Sequence, residues 1–400
     1  MVSQTTNADN PETRRREMRR LRRIATRIER TDMRAWVGSH LYRWRQMRRA
    51  LSPVAAKVAI ARRLGGKGLA RQLVEQSLLV LRFRFNPELY YDHGLFEPER
   101  YRRAEDWVSH RQIAYLMNAL NPDGRKPLTD DKSLFAEHCA GHGIPHPVTL
   151  GLWDPAREDL PAFAEDFHAC AENGGVVCKS LEGTRGEDMA IIRSDGAGQW
   201  WLSTEDSAET AMDWASVKTR LIANQTAYLC QKRLTNDPGL AEFGETPLHT
   251  VRMLTVMRGD QFEPLLAVLR IGRAGAIADN FKQGGLGAAL DIGDGRLGRG
   301  CTFAADCLPG SRGETAQGVS LDGRAVPRWS EVLELARMVH ASLADFPFLS
   351  QDIAVTSDGV LAIEVNQVWS VDLLQKVHDV GLGATPFRRH CLAALEDAGL

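Results

Sequence analysis

Phe348-Leu-Ser-Gln-Asp-Ile-Ala-Val-Thr-Ser-Asp-Gly-Val-Leu-Ala-Ile-Glu-Val-Asn-Gln367 carries two β-branched, apolar runs on either side of Ser357-Asp358-Gly359. That pattern is a strong hairpin signal. With Asp358 at the midpoint, Asp352 falls opposite Glu364, and Asn366 shares the face of Glu364 because side chains alternate along a strand. Directly opposed Cβ atoms lie ~5 Å apart, and two carboxylates there repel. A hard cation between them removes the conflict. Two carboxylates and an amide oxygen suit Mg²⁺, which takes oxygen ligands and is usually shared with substrate phosphates. A solvated, merely polar strand face is the alternative, although Asp and Asn are depleted in strands.

Outward from this hairpin, residues from about 105 onward alternate helices and strands. Asp131 to Ala140 reads as an amphipathic helix stopped by Gly141 and Gly143. A strand is expected over 148–153, a helix over 161–173, and short strands over 176–179, 189–192, 200–202 and 227–231. Two longer strands, 250–257 and 262–270, flank a hairpin connector at Arg258-Gly-Asp260, and a helix covers 331–344. The pattern is α+β with mostly antiparallel strands rather than a regular βαβ wind. Three sections follow: a basic helical region (1–104), a smaller lobe (105–235) and a larger lobe with the cation set (236–400).

The 400 residues have a net charge of −1 that hides an asymmetry. Residues 1–103 hold 24 Lys/Arg against 10 Asp/Glu, whereas 104–400 hold 26 against 41. Basic positions from Arg14 to Arg30 recur along a helix whose other face carries Met18, Leu21, Ile24 and Ile28, and residues 54–84 repeat the style. An anionic surface could be the partner. The plainer reading packs the basic face on the acidic body of the same chain. Nothing resembles a base-reading motif, so no nucleic acid is expected.

No apolar stretch approaches the ~18 residues of a membrane span, and the polar, then basic start lacks the apolar core of a secretory signal. The seven cysteines (Cys139, Cys170, Cys178, Cys230, Cys301, Cys307 and Cys391) form no CxxC pair. They suit reduced thiols in a cytoplasm. Cys301 and Cys307 read as loop residues.

Other chemistry-bearing residues follow in order. Lys179 ends a strand just before Gly183-Thr-Arg-Gly186, where glycines let backbone N–H groups approach phosphate oxygens. A hairpin beside a surface lysine is the ordinary alternative. Arg252 sits inside an apolar strand, which asks for an anion or a carboxylate, unless the strand lies at an edge. Asp279-Asn-Phe-Lys-Gln-Gly-Gly285 is a loop that could hold N–H groups against an oxyanion, or simply turn.

Together these residues resemble the ATP-grasp superfamily, closest to its sugar-transfer-associated, α-L-glutamate-ligase-like branch, over roughly residues 125–375. The likeness rests on Asp131-Lys132 before Gly143-Ile-Pro145, Cys178-Lys179 with its loop, Leu229-Cys-Gln-Lys232, His249-Thr-Val-Arg252, Asp279-Asn280 with Gln283-Gly-Gly285, and Asp352 with Glu364-Val-Asn366. It implies two α+β subdomains gripping ATP. Lys132 and Lys179 would contact the nucleotide phosphates, and Gly183, Thr184, Arg185 and Gly186 would cover them. Leu229, Cys230 and Gln231 would meet the adenine edge through backbone groups. Arg252, Lys282 and Asn280 would serve the transferred phosphate, and Asp352, Glu364 and Asn366 would hold Mg²⁺ (two ions, with Mn²⁺ as a substitute).

The implied activity is ATP-dependent ligation of a carboxylate to an amine through an acyl phosphate. A phosphoryl transferase on the same fold, or a silent ATP-binding scaffold of a polysaccharide or cell-envelope pathway, are the alternatives. Two departures stand out: Lys232 where an acidic residue is common, and His249 where a small polar residue is frequent.

Overall fold

The structure, a computed structural model, describes residues 10–31, 33–181, 189–205 and 207–400. Among the described residues, twelve strands form two six-stranded sheets in which every pairing is antiparallel. The first contains β1 (Thr149–Trp153), β2 (Val176–Ser180), β3 (Ala190–Ser194), β4 (Trp200–Thr204), β5 (Ser207–Met212) and β6 (Tyr228–Lys232), ordered β1-β6-β2-β3-β4-β5. The second contains β7 (Thr250–Arg258), β8 (Gln261–Ile271), β9 (Leu286–Leu290), β10 (Leu297–Thr302), β11 (Phe348–Thr356) and β12 (Gly359–Asn366), ordered β10-β9-β8-β7-β11-β12.

The second sheet positions the chemistry. One face packs Val251, Met253, Ile353 and Val355 against helix Trp329–Ser342. The other face changes character along the strands. At one end Leu254, Val256, Val268 and Phe348 join a core with the C-terminal helices. At the other end Arg252, Arg270, Glu364 and Asn366 open onto a cleft.

The hairpin differs from the expected one in a telling way. Its loop is the two residues Ser357-Asp358, so Thr356 pairs with Gly359 and the register near the turn is one residue short of the expected one. A bulge between Asp352 and Ile353 then leaves Ile363 as an extra residue, and Asp352 faces Glu364 after all. β5, β9 and β10 were not foreseen. Cys301 accordingly lies buried in β10 rather than in a loop, since Leu297-Gly-Arg-Gly-Cys-Thr302 has no alternation to announce a strand.

The described part of the N-terminal section is mainly helical, with helices Pro11–Thr31, Met33–Leu51, Ala55–Gly65 and Leu69–Phe83. The repeat over 54–84 is two helices, because Gly66 takes φ +64° and ends the first of them. Met18, Leu21 and Ile24 share a core with Phe348, Phe387 and Leu395 of the body. Around it, Arg14 pairs with Asp106, Arg20 with Glu396 and Arg388 with Glu17. The basic helix therefore packs on the acidic body of its own chain. Among the described residues no helix is long and apolar enough to cross a membrane.

Candidate functional site

A cleft of about 980 Å³ runs between the sheets. Hairpin register brings its central residues together: Arg252 of β7 faces Asp352 of β11, which faces Glu364 of β12, a cross-strand row of one cation and two carboxylates. Arg252 grips Asp352 with both arms, Nε to Oδ1 at 2.7 Å and Nη2 to Oδ2 at 2.6 Å. β7 lies between β8 and β11, so the arginine is central in the sheet and its partner is a carboxylate. Burial alone would push the Asp352 carboxyl up. Arg252 and Arg270 outweigh burial and hold it below its ordinary range.

Arg270, which motif reading missed, joins the same cluster. Its Nη2 donates to Asp352 Oδ2 at 3.0 Å and to Thr250 Oγ1 at 2.6 Å, and lies 3.2 Å from Asp279 Oδ1. Thr250 Oγ1 in turn donates to Asp279 Oδ2 at 2.5 Å. Burial dominates at Asp279 and raises its carboxyl despite Arg270. Folding the 250–271 hairpin about Gly259-Asp260 alone would set Leu269 opposite Thr250; the bulge between Leu254 and Thr255 shifts the register by one and puts Arg270 there instead.

The opposite wall belongs to the first sheet. Lys179 of β2 donates to Gln231 Oε1 at 2.9 Å, and Lys132, the first residue of helix Lys132–Gly141, donates to the Ser180 carbonyl at 3.4 Å. Asp131 caps that helix by accepting from Ser133 N at 2.8 Å, which orients Lys132. Burial pulls the Lys179 ammonium down to about 8. Glu364 and Asp352 oppose the fall, and Lys132 adds to it. Gly183, Thr184, Arg185 and Gly186 lie outside the described residues.

Gln231 lines the cleft, whereas Leu229 only borders a small side cavity. The Cys230 side chain is buried in the core, its Sγ 3.6 Å from Cys178 Sγ. All three residues are laddered on both sides, to β1 and β2. Lys232, the last residue of β6, and Arg233 to Thr235 just past it border the cleft together with Gln231. His249 does not reach it. Fully buried, it takes the Gly272 N–H on Nδ1 at 3.4 Å, and burial pushes its imidazole down to about 4.

At the far end Asn280 caps the short turn Phe281–Gln283, and Lys282 Nζ reaches Asp372 Oδ2 at 3.4 Å. His93 Nε2 lies 3.5 Å from the other Asp372 oxygen. Burial works against the Asp372 carboxylate, yet His93, Lys282 and His110 hold it at about 2. The wall here comes from the N-terminal helices, through Tyr42, Asn86, Glu88 and Asp92. No local motif announces those residues. Only the packing of helix on body puts them there.

The donor set fits a hard divalent cation. Asp352, Glu364 and Asn366 share one strand-pair face, and Asn366 Nδ2 is buried without a hydrogen-bond partner. Because amide O and N are alike in shape, a half-turn would aim Oδ1 the same way. Asp352 joins with limited capacity, having given three of its roughly four acceptor sites to guanidinium N–H groups.

No curated protein sequence matches the chain. Among solved structures it is similar to a D-cycloserine synthetase, at 16% identity over 72% of this chain and 78% of that one, with a TM-score of 0.38. An L-amino acid ligase from Bacillus licheniformis is 7% identical over 70% of this chain and 53% of its own length, with a TM-score of 0.39. A D-alanine–D-alanine ligase from Bacillus anthracis, complexed with ATP, is 11% identical over 70% of each chain, also with a TM-score of 0.39. The sugar-transfer associated ATP-grasp family matches residues 111–386. That span is well over half of the sequence and includes both sheets, and the chain belongs to this family.

Proposed function

We propose that this protein is an ATP-dependent carboxylate–amine ligase. The observation that carries the reading is the in-register opposition of Asp352 and Glu364, with Asn366 alongside, across one cleft from Lys132 and Lys179. Opposed carboxylates facing a pair of lysines suit a metal-bridged polyphosphate better than an apolar ligand.

A carboxylate oxygen of the acid substrate attacks the γ-phosphorus, the bond to the β-bridging oxygen breaks, and ADP leaves. The amine then attacks the acyl carbon, the C–N bond forms, phosphate departs with the C–O electrons, and the amine loses a proton. Bound Mg²⁺ would supply charge neutralisation on the polyphosphate, held by Asp352, Glu364 and Asn366. Lys132 and Lys179 neutralise the remaining phosphate charge. Arg252 and Arg270 present guanidinium forks to the transferred phosphoryl group. Asn280 and Lys282 belong to the loop beside the acid substrate. The acceptor enters at the end bounded by Asp372 and the N-terminal helices. Small-molecule acid and amine are the partners, in a cytoplasm that keeps the thiols reduced.

The test is ADP release on a panel of carboxylic acids with Mg²⁺, ATP and hydroxylamine as the trapping nucleophile. Acid-dependent hydroxamate is the expected product, and Glu364→Gln lowers turnover at least about 10³-fold, equivalent to ~4 kcal/mol of barrier. Undiminished turnover in that variant removes the hairpin from the mechanism. A stable phosphorylated acid with no hydroxamate makes the protein a phosphoryl transferase instead.

A further inference from the structure

In this structure the residue assigned to the cation is already occupied by cations of the protein itself. Both Asp352 oxygens accept guanidinium N–H groups, Oδ1 from Arg252 and Oδ2 from Arg252 and Arg270, at 2.6–3.0 Å. Arg252 is held by register, since it lies directly opposite Asp352. Arg270 is held by a separate clamp: Thr250 Oγ1 accepts from its Nε at 3.0 Å and Nη2 at 2.6 Å, and Asp279 flanks it at 3.2 Å. The clamp itself is buried, with Thr250 4% and Asp279 9% exposed.

We infer that Arg270, together with Arg252, keeps Asp352 closed to a free divalent cation, so that metal enters this site only together with the nucleotide. The inference rests on the reading of Asp352, Glu364 and Asn366 as the cation set.

The immediate partners of Asp352 give the physical reason. A bare dication reaching Asp352 must share that carboxylate with two guanidiniums, which already take three of its acceptor sites. A polyphosphate reverses that condition. It adds several negative charges, and its tetrahedral phosphate groups present pairs of oxygens that accept both arms of a guanidinium fork, as a carboxylate does. The guanidiniums then have an alternative partner and Asp352 regains its acceptor sites. Arg270 also ties the 272–285 loop to the cation strand through Asp279, so the exchange would be felt at Asn280 and Lys282, one and three residues further on.

The experiment is a Mn²⁺ titration of the full chain followed by electron paramagnetic resonance, without nucleotide and with the β,γ-imido analogue of ATP. Wild-type protein without nucleotide is expected to bind Mn²⁺ no tighter than about 1 mM, and to hold it firmly with the analogue present. Arg270→Gln should tighten nucleotide-free binding at least about tenfold, and adding Asp352→Asn should erase the gain. Thr250→Val, which loosens the clamp while leaving the arginine in place, gives the same direction more weakly. It also serves should Arg270→Gln fail the circular-dichroism check of folding.

Tight binding of bare Mn²⁺ by the wild type, or a gain that survives Asp352→Asn, overturns the inference. Failure of the underlying reading looks different: no Glu364-dependent Mn²⁺ signal even with the analogue bound.

Discussion

Lys179 shows how a single side chain is tuned by its place. Its ammonium is brought down to about 8 chiefly by burial, with Lys132 adding repulsion and Glu364 and Asp352 opposing. The charged form is the one that attracts phosphate. Nucleotide affinity of the free protein should therefore hold steady below pH 7 and weaken as pH rises through about 8, by up to tenfold per unit. Lys179→Arg, whose guanidinium stays charged, should flatten that profile. Fluorescence titration with a labelled ATP analogue from pH 6.5 to 9.5 measures both. A wild-type profile without a break near 8 would remove Lys179 from phosphate binding.

At the scale of the element, the hairpin β11–β12 carries one extra residue. Strand pairing from the turn outward sets Ile353 against Ala362, and Ile363 then bulges so that Asp352 meets Glu364. Deleting Ile363 would remove the bulge and leave a regular ladder in which Ala362 still meets Ile353 and Glu364 still meets Asp352. Glu364, Val365 and Asn366 would keep their faces. The expected result is a folded protein with native circular dichroism that keeps analogue-dependent Mn²⁺ binding. Lost binding would mean that the bulged backbone itself, beyond the pairing, sets the geometry.

Taken as a whole molecule, the N-terminal section is part of the body rather than a detachable arm. Leu21 is 3% exposed in a core shared with Phe348 and Phe387. The Arg20–Glu396 pair beside it is about half exposed on both sides. Leu21→Ala should cost ~2–5 kcal/mol through lost burial and a cavity. Arg20→Ala should cost no more than ~1 kcal/mol, because solvent screens an exposed pair. Chemical denaturation of the two variants decides between apolar docking and charge as the source of attachment. Equal costs would favour charge. The same docking walls the Asp372 end of the cleft with Glu88 and Asp92. Gly381 marks how close the approach is, for a Cβ there would lie 2.3 Å from the Asp106 carbonyl carbon.

Local pattern was enough for most of the strands, the Asp131 cap and the 348–366 hairpin, whereas Asp352 meets Glu364 only because the bulge at Ile363 makes up a register one residue short at the turn. These depend on period-two alternation, capping chemistry and turn residues, all written within about twenty positions. The chain's own sequence could not announce Arg270 on Asp352, Asp372 beside His93, or the wall from Tyr42 to Asp92. Those contacts join residues 82, 279 and more positions apart. They arise only when sheets twist, stack and meet helices, because proximity across that distance is a property of packing and not of neighbouring residues.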